Sequence, residues 1–188
     1  MMAKRSRTVR TPLILFGEGP TEELFLGRIK QLYSQQLAGK NISLGNGGGG
    51  SPGSILLALE KKFLVTGAAA TPALVLMDAD VGLDAEARRI LKKYPNIKEV
   101  FSKPECLEGF LLDLLDDLPP VSQHASEKLK LYFHDHHLGS RQHVLKNFKA
   151  KRHALFPIAL FEAKKTEHAI LTELFIFLEL IPDPEETQ

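Results

Sequence analysis

Acidic residues follow two hydrophobic runs of this sequence and could bind a divalent metal ion. Glu18 lies in the stretch LILFGEG, and Asp78 and Asp80 close the stretch ALVLMDAD. Carboxylates gathered in a low-dielectric cleft do not all stay ionised without a cation, and their hard oxygen atoms suit Mg²⁺ or Mn²⁺. These residues therefore predict a metal site, provided that the two runs form neighbouring strands.

Each acid also has a plainer interpretation. Glu18 alone fits an exposed turn, and Asp78 and Asp80 alone fit a loop that caps a helix. Two buried strands that end in acids at one edge of a sheet are harder to explain in this way. The ligand crevice of an open parallel sheet lies outside the carboxyl ends of its strands. The joint pattern therefore favours the metal site.

The hydrophobic pattern predicts strands that alternate with helices through the first two thirds of the chain. Strands are predicted at 13–16, 41–44, 73–77 and 97–103, and helices at 20–38, 54–65, 83–94 and 104–118. This alternation is typical of an α/β fold, here a Rossmann-like, mostly parallel sheet of about four strands flanked by helices. The last third contains only predicted helices, at 122–136, 140–151 and 166–180.

Length and composition predict one globular domain, because 188 residues with 44% hydrophobic side chains can form a sizeable core. We divide it into a basic N-terminal tail (1–11), an α/β core (12–120) and a helical extension packed on that core (121–188). Cys106 is the only cysteine, which excludes an intrachain disulfide. With no apolar run suited to a signal peptide or a membrane span, the sequence predicts a soluble, cytoplasmic protein.

Basic residues are concentrated in the tail and in the helical extension. Backbone phosphates of DNA or RNA are a suitable partner for such segments, although a solvated helix face and a disordered tail explain each segment taken alone equally well. The candidate nucleic-acid contacts are Arg141, Lys146, Lys149, Lys151 and Arg152. The neighbouring histidines of HDHHLGSRQH fit a helix end better than a zinc site, because they lack the usual ligand spacing.

The motifs ILFGEGPTE and LVLMDAD resemble those of the Toprim fold. In that fold a strand leads to a glutamate in a glycine-containing turn, and a later strand ends in Asp-x-Asp. The layout over residues 13–116, with SKPECLEGFLLDLL after the fourth predicted strand, is most similar to the small stand-alone RloB-like and OLD-type Toprim nucleases. The helical last third has no counterpart in this resemblance.

The resemblance implies roles for individual acids. Glu18 matches the turn glutamate, which acts as general acid or base or as a metal ligand, and Asp78 and Asp80 match the aspartates that hold Mg²⁺. Glu22, one helical turn after Glu18, matches an acid that helps to hold a second metal in OLD-type relatives, and Glu108 could complete the site. A third aspartate found in topoisomerases has no firm equivalent here; Asp84 is the nearest in sequence.

Taken together, the sequence predicts a metal-dependent Toprim-type nuclease that hydrolyses phosphodiester bonds in DNA or RNA. The resemblance also implies a phage-defence or restriction-linked role beside a separately encoded ATPase. One alternative is a non-catalytic Toprim scaffold that binds nucleic acid or the ATPase, and another is hydrolysis or transfer on a small nucleotide. The run GNGGGG lacks the Lys-Ser/Thr of a P-loop and is interpreted as a flexible loop near the crevice.

Overall fold

A parallel sheet forms the centre of the protein. The computed structural model describes residues 10–68 and 70–184, so the predicted basic tail lies almost wholly outside the described residues. The sheet has four parallel strands in the order β2-β1-β3-β4, which confirms the predicted α/β fold with a parallel sheet flanked by helices. The strands are β1 (Thr11–Gly17), β2 (Lys40–Asn46), β3 (Ala73–Asp78) and β4 (Ile97–Ser102).

Helices cover both faces of the sheet, because successive strand residues point to opposite sides. Leu13 and Leu15 of β1 pack on one side with α1 (Pro20–Leu32) and α4 (Leu107–Leu114). Ile14 and Phe16 pack on the other side with α2 and α3. On that side α2 (Pro52–Leu59) continues into a π-helical segment (Glu60–Ala68), and α3 spans Ala85–Lys93.

The last third of the described chain is helical and shares its core with α1 and α4. Phe25 of α1 contacts Phe110 of α4 at 5.4 Å between ring centroids and Phe156 at 5.9 Å. These edge-to-face contacts add to the apolar burial that holds α4 and the helical last third against α1. The helices are α5 (Ser126–Phe133) with a π-helical continuation (His134–Leu138), α6 (Val144–Leu155), α7 (Ile158–Lys164) and α8 (Ala169–Phe177), preceded by a 3₁₀ turn (Val121–Gln123).

Several predicted boundaries were wrong. Pro104 does not begin a helix, because Glu105 has a left-handed backbone (φ 59°) and α4 begins only at Leu107. The cap of α2 is Ser51, whose hydroxyl accepts a hydrogen bond from the N–H of Ser54. Sequence analysis missed α7, and its prediction of a first helix as far as residue 38 was too long. No helix among the described residues is long and apolar enough to span a membrane.

Candidate metal and phosphate site

The turn after β1 brings Glu18 to the end of β3. The N–H of Glu18 donates to the carbonyl of Leu76 (2.9 Å), and Glu18 Oε2 accepts the N–H of Asp78 (3.0 Å). Gly17 is required in this turn, since a Cβ there would lie 2.4 Å from Cβ of Glu22. The predicted meeting of Glu18 and Asp78 is therefore present, because β1 and β3 are neighbours in the sheet.

The glycine-rich loop supports this turn from the other side. The N–H groups of Gly47 and Gly49 both donate to the carbonyl of Glu18, at 3.2 and 3.0 Å. The side-chain amide of Asn46, the last residue of β2, donates to the carboxylate of Glu23 in α1. The segment predicted as a flexible loop near the crevice is thus hydrogen-bonded to the backbone that presents Glu18.

Asp78 is buried, with 6% of its surface exposed, and its carboxylate has several donors. Oδ1 accepts the N–H of Leu107 (2.8 Å) and the hydroxyl of Ser102 (3.1 Å). Oδ2 accepts from Nζ of Lys130, a residue of α5, at 3.0 Å. Asp78 therefore links the ends of β3 and β4 to the first turn of α4 and to the helical extension.

Two further acids lie in the same region. Glu22 and Glu108 are each 7% exposed, and Oε2 of Glu22 accepts the N–H of Gly19 at 2.8 Å. Burial, together with the negative charges of Glu108 and Asp78, raises the pKa of Glu22 to about 7. Burial also raises the pKa of Glu18, with Asp78 and Asp80 adding to the shift. We call Glu18, Glu22, Asp78, Glu108 and Lys130 the carboxylate–lysine cluster.

Lys130 is the cluster residue that sequence reasoning missed. Burial of the ammonium works against its charge, but the attraction of Asp78 and Glu108 outweighs this, and the pKa of Lys130 is raised. No local pattern identifies it, because its carboxylate partner lies 52 residues earlier in the chain. Nε2 of His134 also approaches the cluster, at 3.6 Å from Oε1 of Glu108.

The outer aspartates have different positions. Asp80 is exposed at the edge of the cluster, and its N–H donates to the carbonyl of Glu105 at 3.0 Å. Asp84, the loose candidate for a third site acid, is instead the N-cap of α3, where it accepts the N–H groups of Gly53 (3.1 Å) and Ala87 (2.8 Å). Asp84 therefore has a structural role and is removed from the candidate set.

The cluster fits a hard divalent cation by its donor chemistry. Four carboxylates face a single ammonium group, and the raised pKa of Glu18 and Glu22 reflects negative charge that burial and the neighbouring acids disfavour. Within residues 10–68 and 70–184, however, no three His, Cys, Asp or Glu side chains are already grouped closely enough to hold an ion. Binding would therefore require the Lys130–Asp78 pair or the neighbouring carboxylates to rearrange.

The basic residues predicted to contact nucleic acid differ in whether their side chains already have partners in the protein. Arg141 is paired with Asp135, and Nζ of Lys151 donates to the carbonyl of His137 (3.1 Å). A guanidinium nitrogen of Arg152 lies 3.5 Å from the carbonyl of Leu24 in α1. Lys146 and Lys149 are exposed on α6 and make no ion pair or hydrogen bond with any described residue, so they are the freest to contact phosphates.

The histidine-rich segment is used for packing. Nε2 of His137 lies 2.9 Å from Oδ2 of Asp117, and the ring of His136 stacks on Tyr132 with centroids 4.0 Å apart. No metal-binding group includes these histidines among the described residues. Their contacts therefore secure the end of α5 and its π-helical continuation.

Glu22 is expected to make the stability of the metal-free protein depend on pH. Folded Glu22 keeps its proton up to about pH 7, whereas the unfolded carboxyl group loses it near 4.5. The folded state thus binds more protons in this window, so stability falls as pH rises through it. Glu22→Gln should remove that slope, and at pH 8 its free energy of unfolding should exceed that of the wild type by about 3 kcal/mol.

Denaturant titrations in EDTA at pH 5 and pH 8 measure this difference. The matched control is Glu127→Gln, which changes an exposed glutamate in the first turn of α5 and should keep the wild-type profile. If Glu22→Gln retains the wild-type slope between the two pH values, Glu22 is not the buried titrating group.

Comparisons of the chain with protein-family models, with curated proteins and with solved structures find no match. The likeness of the Glu18 and Asp78 motifs to Toprim proteins therefore remains a prediction. What the chain can do has to be inferred from the side chains of the carboxylate–lysine cluster and their surroundings.

Proposed function

We propose that this protein is a metal-dependent phosphodiesterase of the Toprim type that hydrolyses DNA or RNA at the carboxylate–lysine cluster. The observation that supports it is the convergence of Glu18, Glu22, Asp78 and Glu108 at the carboxyl ends of β1 and β3, beside exposed Asp80. Such a convergence places several buried acids where an open parallel sheet binds its ligands. Hydrogen bonds explain the positions of Asp78 and Glu22 taken singly, but the mutual repulsion of buried carboxylates opposes gathering four acids in one place without a cation.

The residues of the chain would divide the work as follows. Asp78, Glu18 and Glu22 would hold Mg²⁺ or Mn²⁺, with Asp80 and Glu108 as further acids. When bound, such an ion stabilises negative charge on the attacking and leaving oxygens of a phosphoryl group. Glu18 lies beside Asp78, whose N–H its Oε2 accepts at 3.0 Å, and would be either a ligand of the ion or the general base that takes a proton from the attacking water.

Lys130 has two possible uses in this scheme. In the structure its ammonium group neutralises Asp78 at 3.0 Å while 38% of the side chain remains exposed. An ion at Asp78 would free this ammonium group to contact a non-bridging phosphate oxygen, where positive charge stabilises the transition state. The same lysine would therefore balance charge before the ion binds and bind the substrate afterwards.

A non-catalytic scaffold is the second candidate function. The ion pair between Lys130 and Asp78 favours it, because the lysine already supplies a positive charge to the most buried acid of the cluster. A protein of this kind would bind nucleic acid or an ATPase partner without cutting. The ATPase implied by the resemblance is part of this alternative, and co-purification with the neighbouring gene products is the way to search for it.

A cleavage assay separates the two functions. Labelled single- and double-stranded DNA and RNA are incubated with the purified protein in Mg²⁺, Mn²⁺ or EDTA. The nuclease proposal expects cleavage of at least one substrate with metal and none in EDTA. Binding of nucleic acid without cleavage under every condition would reject the nuclease and favour the scaffold.

Lys146 and Lys149 are expected to contribute to substrate binding through phosphate contacts. The double variant Lys146→Ala/Lys149→Ala should weaken binding roughly tenfold at low salt and lower the slope of log K against log salt by about 1 to 2. Fluorescence anisotropy over a salt series measures both values. Removing a phosphate contact weakens all sequences alike, so the loss should not depend on the sequence of the probe.

The matched control removes the same charge from the opposite face of the sheet. Lys61→Ala/Lys92→Ala changes two exposed lysines, one in the π-helical segment after α2 and one in α3. This control should bind as the wild type does. Equal losses in both double variants would indicate that net charge, and not the surface of α6, governs binding.

A further inference from the structure

A pocket of about 580 Å³ opens next to the turn that follows β3. Its volume is within the range of small-molecule sites, roughly 300 to 1,000 Å³. The walls come from the ends of β3 and β4, from α4 and from the start of α8. The side chains that decide its chemistry are Lys103, Pro104, Leu118, His124, His168 and Ile170.

The pocket and the carboxylate–lysine cluster share one turn of backbone. Ala79 lines the pocket and lies between Asp78 and Asp80. The N–H groups of Ala79 and Asp80 both donate to the carbonyl of Glu105, at 2.8 and 3.0 Å, and Glu105 is another lining residue. A phosphate bound at the cluster would therefore place its own nucleoside at the mouth of this pocket.

The chemistry of the walls fits an uncharged aromatic ring with polar edges. Pro104, Leu118 and Ile170 supply apolar surface, and most of the exposed wall is apolar. The basic groups Lys103, His124 and His168 are matched by the acids Glu105, Asp113 and Glu167. An anion would meet as many acids as bases, whereas a nucleobase can stack on apolar surface and use both donors and acceptors at its edge.

His168, a lining residue, has one buried polar atom that is unsatisfied. Nε2 of His168 lies 2.9 Å from Oδ2 of Asp113, which fixes the ring, and the ring packs against Phe110 at 4.9 Å between centroids. Nδ1 of His168 is buried and has no hydrogen-bond partner in the part of the chain that the structure describes. Because nearly all buried polar atoms in folded proteins have a partner, this one marks a place that would accommodate a water molecule or a polar ligand group.

We infer that this pocket holds the base of the nucleotide whose phosphate lies at the cluster. The inference rests on the proposed function and names its substrate class more closely. A base stacked and paired inside a duplex would have to be flipped out to enter such a pocket, which costs about a few kcal/mol, so a single-stranded or locally unpaired segment is favoured. Single-stranded DNA or RNA is therefore the expected substrate, and an intact duplex is not.

Binding is tested in Mg²⁺ by saturation-transfer NMR with adenosine 5′-monophosphate and with ribose 5-phosphate as the ligand without a base; neither ligand contains a phosphodiester bond, so binding is measured apart from cleavage. The wild type should transfer saturation most strongly to the base protons and should bind adenosine 5′-monophosphate at least about tenfold more tightly than ribose 5-phosphate. Ala169→Trp, at an exposed lining position in the first turn of α8, fills the pocket and should abolish the difference. Ala163→Trp, exposed on α7 outside the lining, should behave as the wild type does.

Two results would overturn the inference. One is wild-type protein that binds the two ligands equally or not at all, and the other is Ala169→Trp protein that still prefers adenosine 5′-monophosphate. Circular dichroism of both tryptophan variants shows whether they are folded. If Ala169→Trp is not folded, Leu118→Arg, at a half-buried lining position, replaces it with the same expectation.

The cleavage assay then distinguishes this inference from the proposed function. Base-dependent binding that Ala169→Trp abolishes, without cleavage of any nucleic acid, would support the pocket and reject the nuclease. Metal-dependent cleavage that is equally fast in wild type and Ala169→Trp, on duplex and single strand alike, would support the nuclease and reject the pocket. If the protein is a nuclease and the pocket also holds the base, single strands should be cut at least about tenfold faster than duplexes.

Discussion

Asp78→Asn is expected to reduce metal-dependent cleavage at least about 10³-fold, because it removes a buried negative charge from the centre of the proposed metal site. The asparagine carbonyl can still accept the N–H of Leu107 and the hydroxyl of Ser102, which Asp78 now binds at 2.8 and 3.1 Å. The ion pair of Oδ2 with Lys130 is lost, so the free energy of unfolding should fall by about 2 to 3 kcal/mol. Single-turnover cleavage and urea titration measure the two effects separately.

Asp84→Asn is the matched control for this variant. Asp84 caps α3 outside the cluster, and asparagine is as good an N-cap as aspartate, so the bond from the N–H of Ala87 is kept. The bond from the N–H of Gly53 to the second oxygen is lost, so stability should fall by about 1 kcal/mol while cleavage is preserved. Cleavage by Asp78→Asn within about tenfold of the wild-type rate would contradict the assignment of Asp78 to the reaction. Equal losses in both variants would point to a general effect of the lost charge.

Gly109→Ala is expected to destabilise the protein by roughly 2 to 4 kcal/mol. A Cβ at this position in α4 would lie 2.1 Å from the carbonyl oxygen of Pro104 and 2.9 Å from a methyl group of Leu129. Because backbone cannot move aside as a flexible side chain can, α4 would have to shift. That shift would displace Glu108 and the N–H of Leu107 that binds Asp78, so cleavage should fall as well.

Gly27→Ala tests the same substitution where there is room for it. Gly27 lies inside α1, and the nearest atom to its added Cβ is a methyl group of Leu44 at 3.5 Å, an ordinary contact. Alanine favours a helix interior over glycine, so this variant should gain about 0.5 to 1 kcal/mol. Thermal or urea unfolding measures the free energy of unfolding of both variants. If Gly109→Ala is as stable as the wild type, α4 does not pack against the backbone of Pro104.

The strands and the meeting of Glu18 with Asp78 could be predicted from the sequence. Two apolar runs and two weaker strand patterns, separated by helical patterns, are enough to predict a parallel sheet, and its carboxyl edge is where ligands bind. The boundary after β4 could not be predicted, because a proline before an acidic stretch resembles a helix start. The left-handed backbone of Glu105, which delays α4 to Leu107, depends on tertiary packing.

The completed site depends on contacts between distant parts of the chain. Lys130 reaches Asp78 from α5, and a lysine in an amphipathic helix has no local signal that distinguishes it from a solvated one. The raised pKa of Glu22 likewise follows from burial beside Glu108, whose helix packs against α1 through phenylalanine contacts. The pocket is lined by Ala79 and His168, which are about ninety residues apart in the sequence. Patterns within a short window of sequence cannot predict such a contact.

The most direct test of the proposed nuclease is single-turnover cleavage by wild type and Glu18→Gln, with enzyme in excess and Mn²⁺ or EDTA present. Glutamine keeps an acceptor for the N–H of Asp78, which Glu18 binds at 3.0 Å, but it cannot take up a proton. We expect cleavage by the wild type only with Mn²⁺, and a rate at least about 10²-fold lower for Glu18→Gln at unchanged substrate affinity. Cleavage that persists in EDTA, or equal rates for the two proteins, would contradict a metal-dependent reaction at this cluster.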